Sequence, residues 1–474
     1  MLECEWARLD MPNEYESPIG NRPEICGAVM PSAPRHDPYA AFRSRGFRFF
    51  TTGNLLSIIG RQMLAVAVEW EIYRRTHSAT ALGLVGLVFA IAIVGLSLPA
   101  GHLADKISRK QIILVAQIFS AITSALLALV SWQHLAIPQF PILRTCNRGL
   151  TAIAAVFERH DQTFHFDDAS IPIIYLLLFL GSIARTFSWA ARSSFFPTLV
   201  PRDAFSNAVT WNSSVFQIGS VVGPALSGFV VAHRGFPIVY AIDAITSTLF
   251  FLLTLPIPRP QARDRKEQST WRSLAAGMKF VFSKKVILAT ITLDLFAVLL
   301  GGSVALLPIF ADQILRCGPV GLGWLRAAPA IGAFAMALLV AYLPPMRHAG
   351  KTLLWCVAGF GLATIVFGLS KAFWLSLIML FIAGAVDSVS VIVRGSIVQL
   401  VTPDEMRGRV SAVNNIFIGT SNEFGALESG LTAALFGPVI SVVGGGIGTM
   451  LVVLGAAWKW PEIRKIGTLD RNLR

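Results

Sequence analysis

Long apolar runs separated by short polar connections fill the chain from about residue 47 to residue 458. A helix needs about 20 mostly apolar residues to cross the hydrocarbon core of a membrane, and twelve runs reach or approach that length. They lie at 47–69, 79–100, 111–132, 171–189, 207–232, 236–256, 286–310, 319–343, 351–369, 372–395, 410–434 and 437–458. Runs of this length fit helices better than barrel strands, so the pattern predicts an all-α membrane protein with 12 transmembrane helices.

Both termini and one long loop lie outside these runs. Residues 1–45 contain prolines and scattered acids but no apolar segment of signal-peptide length, so we expect a disordered cytoplasmic tail there. Residues 459–474 are expected to form a second cytoplasmic tail. Between the third and fourth runs, residues 133–170 form a long outer loop, and its apolar stretch at 149–157 is too short to count as a span.

Composition and charge support a membrane protein and give it an orientation. Hydrophobic residues make up 54% of the chain and charged residues 14%, whereas charged residues make up roughly a quarter of a typical soluble domain. With a cytoplasmic amino terminus, the inner connections carry seventeen lysine and arginine residues and the outer connections eight. This excess predicts that both termini are cytoplasmic. The net charge of +13 is spread over separate segments, which argues against a nucleic-acid partner.

The connection between the sixth and seventh runs divides the chain into two halves. This segment, 258–285, is the most charged internal stretch, and we expect a cytoplasmic linker with an amphipathic helix there. The flanking six-helix bundles, 46–257 and 286–458, match in length once the long outer loop is set aside. A weak repeat relates the segment that begins at Leu199 to the one that begins at Leu400. We therefore predict two pseudo-symmetric halves with a substrate site between them, near the midplane.

A charged turn, GHLADKISRK at 101–110, joins the second and third runs on the predicted cytoplasmic side. It resembles the loop motif of the major facilitator superfamily between spans two and three, although Ser108 stands where that family usually has glycine. The matching residues are Gly101, Asp105, Lys106, Arg109 and Lys110. The resemblance implies that Asp105 and Arg109 contact the start of span eleven and hold one side of the transporter shut.

A glycine-rich pattern, GxxxGPxxxG, lies in the fifth run. Glycines four residues apart let two helices approach closely, and a proline inside a helix bends it. On these grounds alone, generic helix packing and a functional motif are equally good interpretations. The pattern resembles the antiporter motif of exporting members of the same superfamily, which implies export and a role in blocking leak. The residues of the motif are Gly219, Gly223, Pro224 and Gly228.

Three longer segments resemble the bacterial branch of this superfamily that includes the siderophore (enterobactin) exporter. They lie at 189–209, 293–311 and 421–437. The resemblance covers about residues 46–458, apart from the long outer loop. It implies the major facilitator fold, in which spans one, four, seven and ten line a central cavity.

Ionisable residues within the predicted spans are the candidate substrate or proton sites, because a charge at the bilayer centre costs at least about 2.5 kcal/mol. The residues near the midplane are Arg61, Asp294, Asp387 and Glu423, and Arg185 lies nearer the inner face. The resemblance favours all of these except Glu423, because they lie in cavity-lining spans. Glu423 is the best acid outside those spans. For each residue, the alternative is a fixed ion pair or a packing hydrogen bond.

The sequence lacks the motifs that are typical of several other functions. No phosphate-binding loop of the form GxxxxGK[ST] occurs, no histidine lies deep in a predicted span, and the five cysteines show no metal-ligand spacing. The outer-loop residues His160, Asp161, His165, Asp167 and Asp168 could hold a metal, although polar loops often collect such residues. We therefore expect no ATP-driven pump, no enzyme, no cofactor and no metal site.

The sequence favours a secondary transporter that exports a small amphipathic molecule, drug-like or siderophore-like, by alternating access in exchange for protons. We expect a monomer in the cytoplasmic (inner) membrane, whose partners are the small-molecule substrate, protons and lipid. An inward facilitator or symporter of the same fold is the first alternative. A membrane sensor or scaffold that transports nothing is the second.

Overall fold

The computed structural model describes residues 37–132, 141–157, 168, 170–258, 271–343 and 348–467. The helices of the first half are α1 (Arg45–Thr76), α2 (Ala79–Lys106), α3 (Arg109–Val130), α4 (Pro141–Phe157), α5 (Ser170–Phe195), α6 (Phe205–Arg234) and α7 (Phe236–Thr254). Helix α8 (Trp271–Ser283) lies within the predicted linker. The remaining helices are α9 (Lys285–Leu300), α10 (Leu307–Ile309), α11 (Gly318–Tyr342), α12 (Ala349–Leu369), α13 (Phe373–Val401), α14 (Asp404–Phe436), α15 (Pro438–Lys459) and α16 (Pro461–Lys465).

Ten helical segments in the described part of the chain are long and apolar enough to cross a membrane. Helices α1 and α14 also have the length, because 32 and 33 residues span about 48–50 Å. Both carry more charged residues than the other long helices: α1 holds Arg61, Glu69 and Glu71, and α14 holds Glu423 and Glu428. The prediction of an all-α membrane protein is confirmed. The count of twelve spans stays a prediction.

The two halves repeat one pattern of helix contacts. In the first bundle, α1 packs on α6 and α7, α3 packs on α5 and α7, and α2 packs on α5. In the second bundle, α9 packs on α14 and α15, α12 packs on α13 and α15, and α11 packs on α13. Helices α1, α2, α3, α5, α6 and α7 therefore correspond to α9, α11, α12, α13, α14 and α15. Among the described helices, α4 has no counterpart, and it lies inside the predicted outer loop.

The bundles meet mainly along two seams, one between α2 and α14 and the other between α6 and α11. Exchanging corresponding helices converts one seam into the other, as expected for two repeats related by a pseudo-two-fold axis. Successive long helices run in opposite directions, because the ends of α5 and α7 contact the start of α3, and the ends of α13 and α15 cluster with the starts of α9 and α12. We use "tail end" for the end of the molecule where α1 begins and α15 finishes, and "far end" for the end where α1 finishes.

The seventh predicted span, 286–310, is interrupted. After α9, two glycines lead into a 3-10 turn at Ser303–Leu306, then α10 and a π-helical turn at Phe310–Ile314. A Cβ atom on Gly302 would lie 2.9 Å from the carbonyl oxygen of Gly425 on α14. Two glycines facing each other allow the backbones of these segments to approach closely. The apolar pattern alone does not predict this interruption.

Short turns pack on the bundles within both predicted tails. A 3-10 turn at Ala40–Arg43 packs on the first bundle, where Ala41 is buried and its N–H donates to the Asn207 side chain at 3.1 Å. At the other terminus, α16 lies inside the predicted tail, and Ile463 and Ile466 are buried there. Apolar side chains dock these turns, so the near ends of both segments are ordered, and the boundaries at residues 45 and 459 stay predictions. Residues 1–36 and 468–474 lie outside the described part.

A buried carboxylate forms hydrogen bonds with several side chains at the far end of the first bundle. Glu71 on α1 is fully buried. It accepts hydrogen bonds from Arg75 at 2.6 and 2.9 Å, from Ser131 at 2.8 Å and from Tyr240 at 2.6 Å. Arg75 also pairs with Asp168. Burial raises the pKa of the Asp168 carboxyl, but hydrogen bonds from a neighbouring serine and from Arg75 outweigh it and hold that pKa below its usual range.

Replacing Glu71 by Gln should lower the thermal stability of the protein, because Arg75 then loses the charged partner that Glu71 provides. Breaking a buried ion pair costs about 3–5 kcal/mol in soluble proteins. The measurement is the midpoint of thermal unfolding, read from size-exclusion profiles of heated, purified protein. The matched variant Glu462→Gln alters an exposed glutamate at the tail end and should keep the wild-type midpoint. Equal midpoints for the two variants would contradict this account of Glu71.

Candidate functional site

Small residues bring the two bundles into backbone contact at the far end. On the seam between α6 and α11, a Cβ atom on Gly228 would lie 2.4 Å from the carbonyl oxygen of Pro319. On the seam between α2 and α14, a Cβ atom on Gly430 would lie 2.5 Å from the Cα atom of Gly83. Glycines at such positions let helix backbones touch, so a side chain at either position would push the bundles apart.

The seam between α2 and α14 loosens toward the tail end. A Cβ atom on Gly86 would lie 2.6 Å from the Glu423 carbonyl oxygen. Nearer the tail end, one on Gly419 would lie 3.5 Å from the Ile93 side chain, and one on Gly408 would meet no atom within 4 Å. One buried apolar cluster at the far end draws residues from both bundles, whereas each described cluster at the tail end belongs to a single bundle. The molecule is closed at the far end and open at the tail end.

The glycine-rich motif of α6 takes part in two contacts. Gly219 and Gly223 face α1 inside the first bundle, where their Cβ atoms would lie 2.3 and 2.5 Å from side-chain carbons of that helix. Pro224 lies inside the helix, and one turn later Gly228 faces α11 across the seam. The motif therefore packs α6 against its own bundle and, beyond the proline, against the other bundle.

Two ion pairs cross between the bundles below these far-end contacts. Arg326 of α11 pairs with Glu69 of α1 at 3.0 Å, and Arg185 of α5 pairs with Glu423 of α14 at 3.3 Å. The charge of Glu423 also interacts with those of Arg326 and Glu69. We name these four residues the seam quartet. By helix rise, the first pair lies about 10–12 Å and the second about 20–23 Å from the far ends of their helices.

The seam quartet brings together two sequence-predicted candidates, Arg185 and Glu423. Sequence reasoning missed the role of Glu69, because the first predicted span ended at that residue and a charge at a span end is expected to reach the interface. Helix α1 continues to Thr76, which moves Glu69 inside. One available signal was the spacing of eight residues between Arg61 and Glu69, which roughly places both on one face of a helix.

Asp294 and Arg394 form an ion pair inside the second bundle, between α9 and α13. Their side chains are 11% and 4% exposed, so this geometry favours the fixed ion pair over a substrate site for Asp294. Asp387 lies seven residues before Arg394, on the same face of α13. It is half-buried and makes no hydrogen bond or ion pair with any described residue. Asp387 therefore stays a candidate in this bundle.

Arg61 on α1 is half-buried and has no hydrogen-bond partner among the described residues. Its charge interacts with those of Arg185 and of Asp243 on α7. Asp243 in turn accepts a hydrogen bond from the Ser124 hydroxyl at 2.6 Å. A charge at this depth is costly without a partner, so Arg61 remains a candidate for contact with a molecule that enters between the bundles.

The basic residues of the charged turn bind helix ends within their own bundle. Arg109 donates to the Ser194 carbonyl oxygen near the end of α5 at 3.0 Å. Lys110 donates to the carbonyl oxygens of Leu255 and Ile257, just after α7, at 2.7 and 2.5 Å. Cations at these positions satisfy carbonyl groups that lack a partner within the helix.

The resemblance instead implied that Asp105 and Arg109 contact the start of α14. Among described residues, the hydrogen bond of Arg109 is with α5. Gly101 and Lys106 lie in the last turns of α2, and Lys106 is exposed, whereas the side chain of Asp105 lies outside the described part. The role of the motif as a latch stays a prediction for a conformation in which the tail end is closed.

Most of the outer-loop residues that could hold a metal lie outside the described residues. These are His160, Asp161, His165 and Asp167. Asp168 is described, and it pairs with Arg75. Within the described ranges, no group of three or more histidine, cysteine, aspartate or glutamate residues could hold a metal ion.

The chain is similar in sequence to known transporters. The sequence model of the Major Facilitator Superfamily matches residues 50–419. The enterobactin exporters EntS of Escherichia coli O81 (strain ED1a) and Shigella boydii serotype 18 are 27% and 26% identical to this chain over 411 residues. Each alignment covers 86% of this chain and 89% of the relative.

Solved transporter structures share the fold. A bacterial homologue of the human lysosomal transporter Spinster, inward-facing and occupied, has a TM-score of 0.65 at 14% identity, and the match covers 90% of this chain and 99% of that one. A bacterial homologue of the iron transporter ferroportin in its inward-facing state scores 0.63 at 13% identity, with 89% and 99% covered. These findings confirm the predicted fold and a transporter rather than an enzyme. The chain therefore belongs to the Major Facilitator Superfamily of multi-pass membrane transporters.

Proposed function

We propose that the protein exports a small amphipathic molecule, drug-like or siderophore-like, across the cytoplasmic membrane in exchange for protons. The enterobactin exporters among its relatives support export, as does the antiporter-like motif of α6. The observation that carries the proposal is the seam quartet, because its two arginine–glutamate pairs join the bundles where the far end is closed. Groups that can lose their charge therefore lie where the molecule must open.

The orientation follows from the distribution of positive charge. The tail end carries the excess of lysine and arginine in the connections, which supports a cytoplasmic tail end by the positive-inside rule. Both termini are then cytoplasmic, and the conformation described here takes up substrate from the cytoplasm. We propose that the protein acts as a monomer in the inner membrane, because one chain supplies both bundles and the site between them.

Protonation of the quartet glutamates is the proposed coupling step. When the far end is closed, Arg185 and Arg326 favour the charged carboxylates of Glu423 and Glu69. When the far end opens, the pairs separate, and the glutamates take protons from outside. When the pairs form again, the arginines displace those protons, which leave through the open tail end. One cycle thus moves protons inward and substrate outward.

Uptake of enterobactin and of amphipathic dyes into inverted membrane vesicles tests this proposal. Inverted vesicles turn the tail end toward the medium in the proposed orientation. We expect uptake when the vesicle interior is acidic, and loss of uptake when a protonophore removes the gradient. Uptake that does not depend on the gradient would indicate a facilitator. Gradient-driven uptake that occurs only in right-side-out vesicles would indicate a symporter. Absence of transport in both preparations would favour the sensor or scaffold.

Replacing Glu69 by Gln should weaken far-end closure while leaving the deeper pair in place. Arg326 would lose a charged partner at 3.0 Å, and a hydrogen bond to a charged group contributes about 1.5–3 kcal/mol. We expect amide hydrogen exchange in residues 303–314, much of which is buried at the closed far end, to be roughly tenfold faster or more. Glu462→Gln should exchange at the wild-type rate. Unchanged exchange in the Glu69 variant would contradict the role of this pair.

A further inference from the structure

We infer that the site between the bundles binds organic anions, that is, molecules with an acidic group such as a carboxylate or sulfonate on an apolar body. This inference rests on the proposed function, since it names the class of exported substrate. It comes from three arginines of the first bundle, Arg61, Arg185 and Arg192, which we name the arginine ladder.

Helix α5 supplies two of these arginines on one face. Arg185 and Arg192 are seven residues apart, which is two helical turns or about 10 Å. Arg185 reaches Glu423 on α14 across the seam, so this face of α5 borders the space between the bundles. Arg192 lies nearer the tail end and donates to Asn54 Oδ1 at 2.9 Å and Ser57 Oγ at 3.3 Å, both on α1.

Helix α1 supplies the third arginine, at about the depth of Arg185 by helix rise. Arg61 lies four residues, or one turn, beyond Ser57 and on the same face of α1. Its charge interacts with those of Arg185 and Arg192. The ladder therefore leads from the open tail end toward Glu423 and the closed far end.

Aromatic rings cover one side of the ladder. The Arg185 guanidinium lies 4.7 Å from the ring centroid of Phe89, and that of Arg192 lies 4.5 Å from the ring centroid of Phe250. A ring stacked on a guanidinium covers its face and leaves N–H groups at its edge. On Arg185, those groups can form two parallel hydrogen bonds with one acidic group, whereas the terminal nitrogens of Arg192 already donate to side chains of α1.

Nearby acids do not neutralise the ladder. Glu423 is shared with a second arginine of the seam quartet, and Asp243 is bound to the Ser124 hydroxyl. Arg192 has amide and hydroxyl partners, and its Nε atom has no hydrogen-bond partner among the described residues. Cations held close together repel one another and are costly at membrane depth. An anion between them reduces both costs, whereas a cationic substrate would add repulsion.

Anion binding also links the substrate to the seam quartet. An acidic group on Arg61 and Arg185 competes with Glu423 for the Arg185 guanidinium. The ion pair between the bundles is then weakened only when substrate is bound, which favours opening at the far end with substrate inside.

Thermal stabilisation of the purified full chain in lipid nanodiscs by a matched set of small molecules tests this inference. The probes are 1-naphthoate and 1-naphthalenesulfonate as anions, 1-naphthalenemethanol as the neutral analogue and 1-naphthylmethylamine as the cation. We expect the two anions to raise the unfolding temperature more than the other two probes do. In Arg61→Gln, the apparent affinity for 1-naphthoate should fall at least tenfold, and Arg61→Lys should keep part of it.

Arg234→Gln is the matched control, because Arg234 is exposed at the end of α6 and lies outside the ladder. It should bind 1-naphthoate as the wild type does. If Arg61→Gln fails to fold, Arg192→Gln tests the same ladder. Equal or stronger stabilisation by the neutral or cationic probe, no stabilisation by either anion, or unchanged affinity in the ladder variant would overturn the inference. That result would not contradict export in exchange for protons, because the vesicle assay measures export independently of substrate charge.

Discussion

Replacing Glu423 by Gln should uncouple transport from the proton gradient and lower gradient-driven uptake into inverted vesicles at least tenfold. Glutamine keeps the shape of the protonated side chain but cannot exchange a proton. Arg185 loses its charged partner at 3.3 Å, and the far end loses one of two described pairs that cross between the bundles. A hydrogen bond to a charged group contributes about 1.5–3 kcal/mol, which is roughly a 10- to 150-fold change in equilibrium.

Glu428→Gln provides the matched control on the same helix. Glu428 lies five residues further along α14, and its described contact is a 3.5 Å hydrogen bond from the adjacent Ser429. This variant should keep wild-type dependence on the gradient. A single symmetric size-exclusion peak and retained substrate binding would separate uncoupling from misfolding in the Glu423 variant. Coupling through Glu423 is wrong if that variant keeps its gradient dependence or if both variants lose it equally.

Replacing Gly228 by Leu should reduce transport at least a hundredfold, because the far end can no longer close. A Cβ atom there would lie 2.4 Å from the Pro319 carbonyl oxygen and 3.0 Å from the Gly323 Cα atom. Overpacking typically costs about 1–3 kcal/mol, and here two helix backbones must separate to admit the side chain. The measurement is uptake by inverted vesicles, with protein content matched between samples.

Gly455→Leu makes the same substitution where there is space. A Cβ atom on Gly455 of α15 would meet no atom within 4 Å, so this variant should transport at the wild-type rate. Near-normal uptake by Gly228→Leu would show that close contact between α6 and α11 is not required in the transport cycle.

The apolar pattern predicted most of the fold. Each of the twelve runs overlaps a helix, because a long apolar run in a membrane must satisfy its backbone hydrogen bonds internally. The interruption after α9 was not predicted, since it depends on the approach of α14, and the adjacent glycines Gly301 and Gly302 were its one local signal. The docked turns within both predicted tails were not predicted either, because they depend on single buried residues such as Ala41 and Ile463.

Two of the four residues of the seam quartet were predicted as candidates, but their contact was not. Arg185 and Glu423 were both identified as buried charges, yet their pairing depends on the depth and rotation of helices from different bundles, which hydropathy does not reveal. Glu71 was missed because the first predicted span ended before it. The partner of Asp294 on α13 likewise became evident only from the packing of α9 and α13.

Distances between spin labels at two pairs of positions on α6 and α11 test alternating access most directly. Arg234 and Val320 mark the far end, and Phe205 and Tyr342 mark the tail end, all at exposed positions. In labelled protein with its native cysteines replaced, acidification should lengthen the far-end distance and shorten the tail-end distance, and Glu423→Gln should abolish this response. Two distances that stay fixed, or that change in the same direction, would contradict alternating access controlled by the seam quartet.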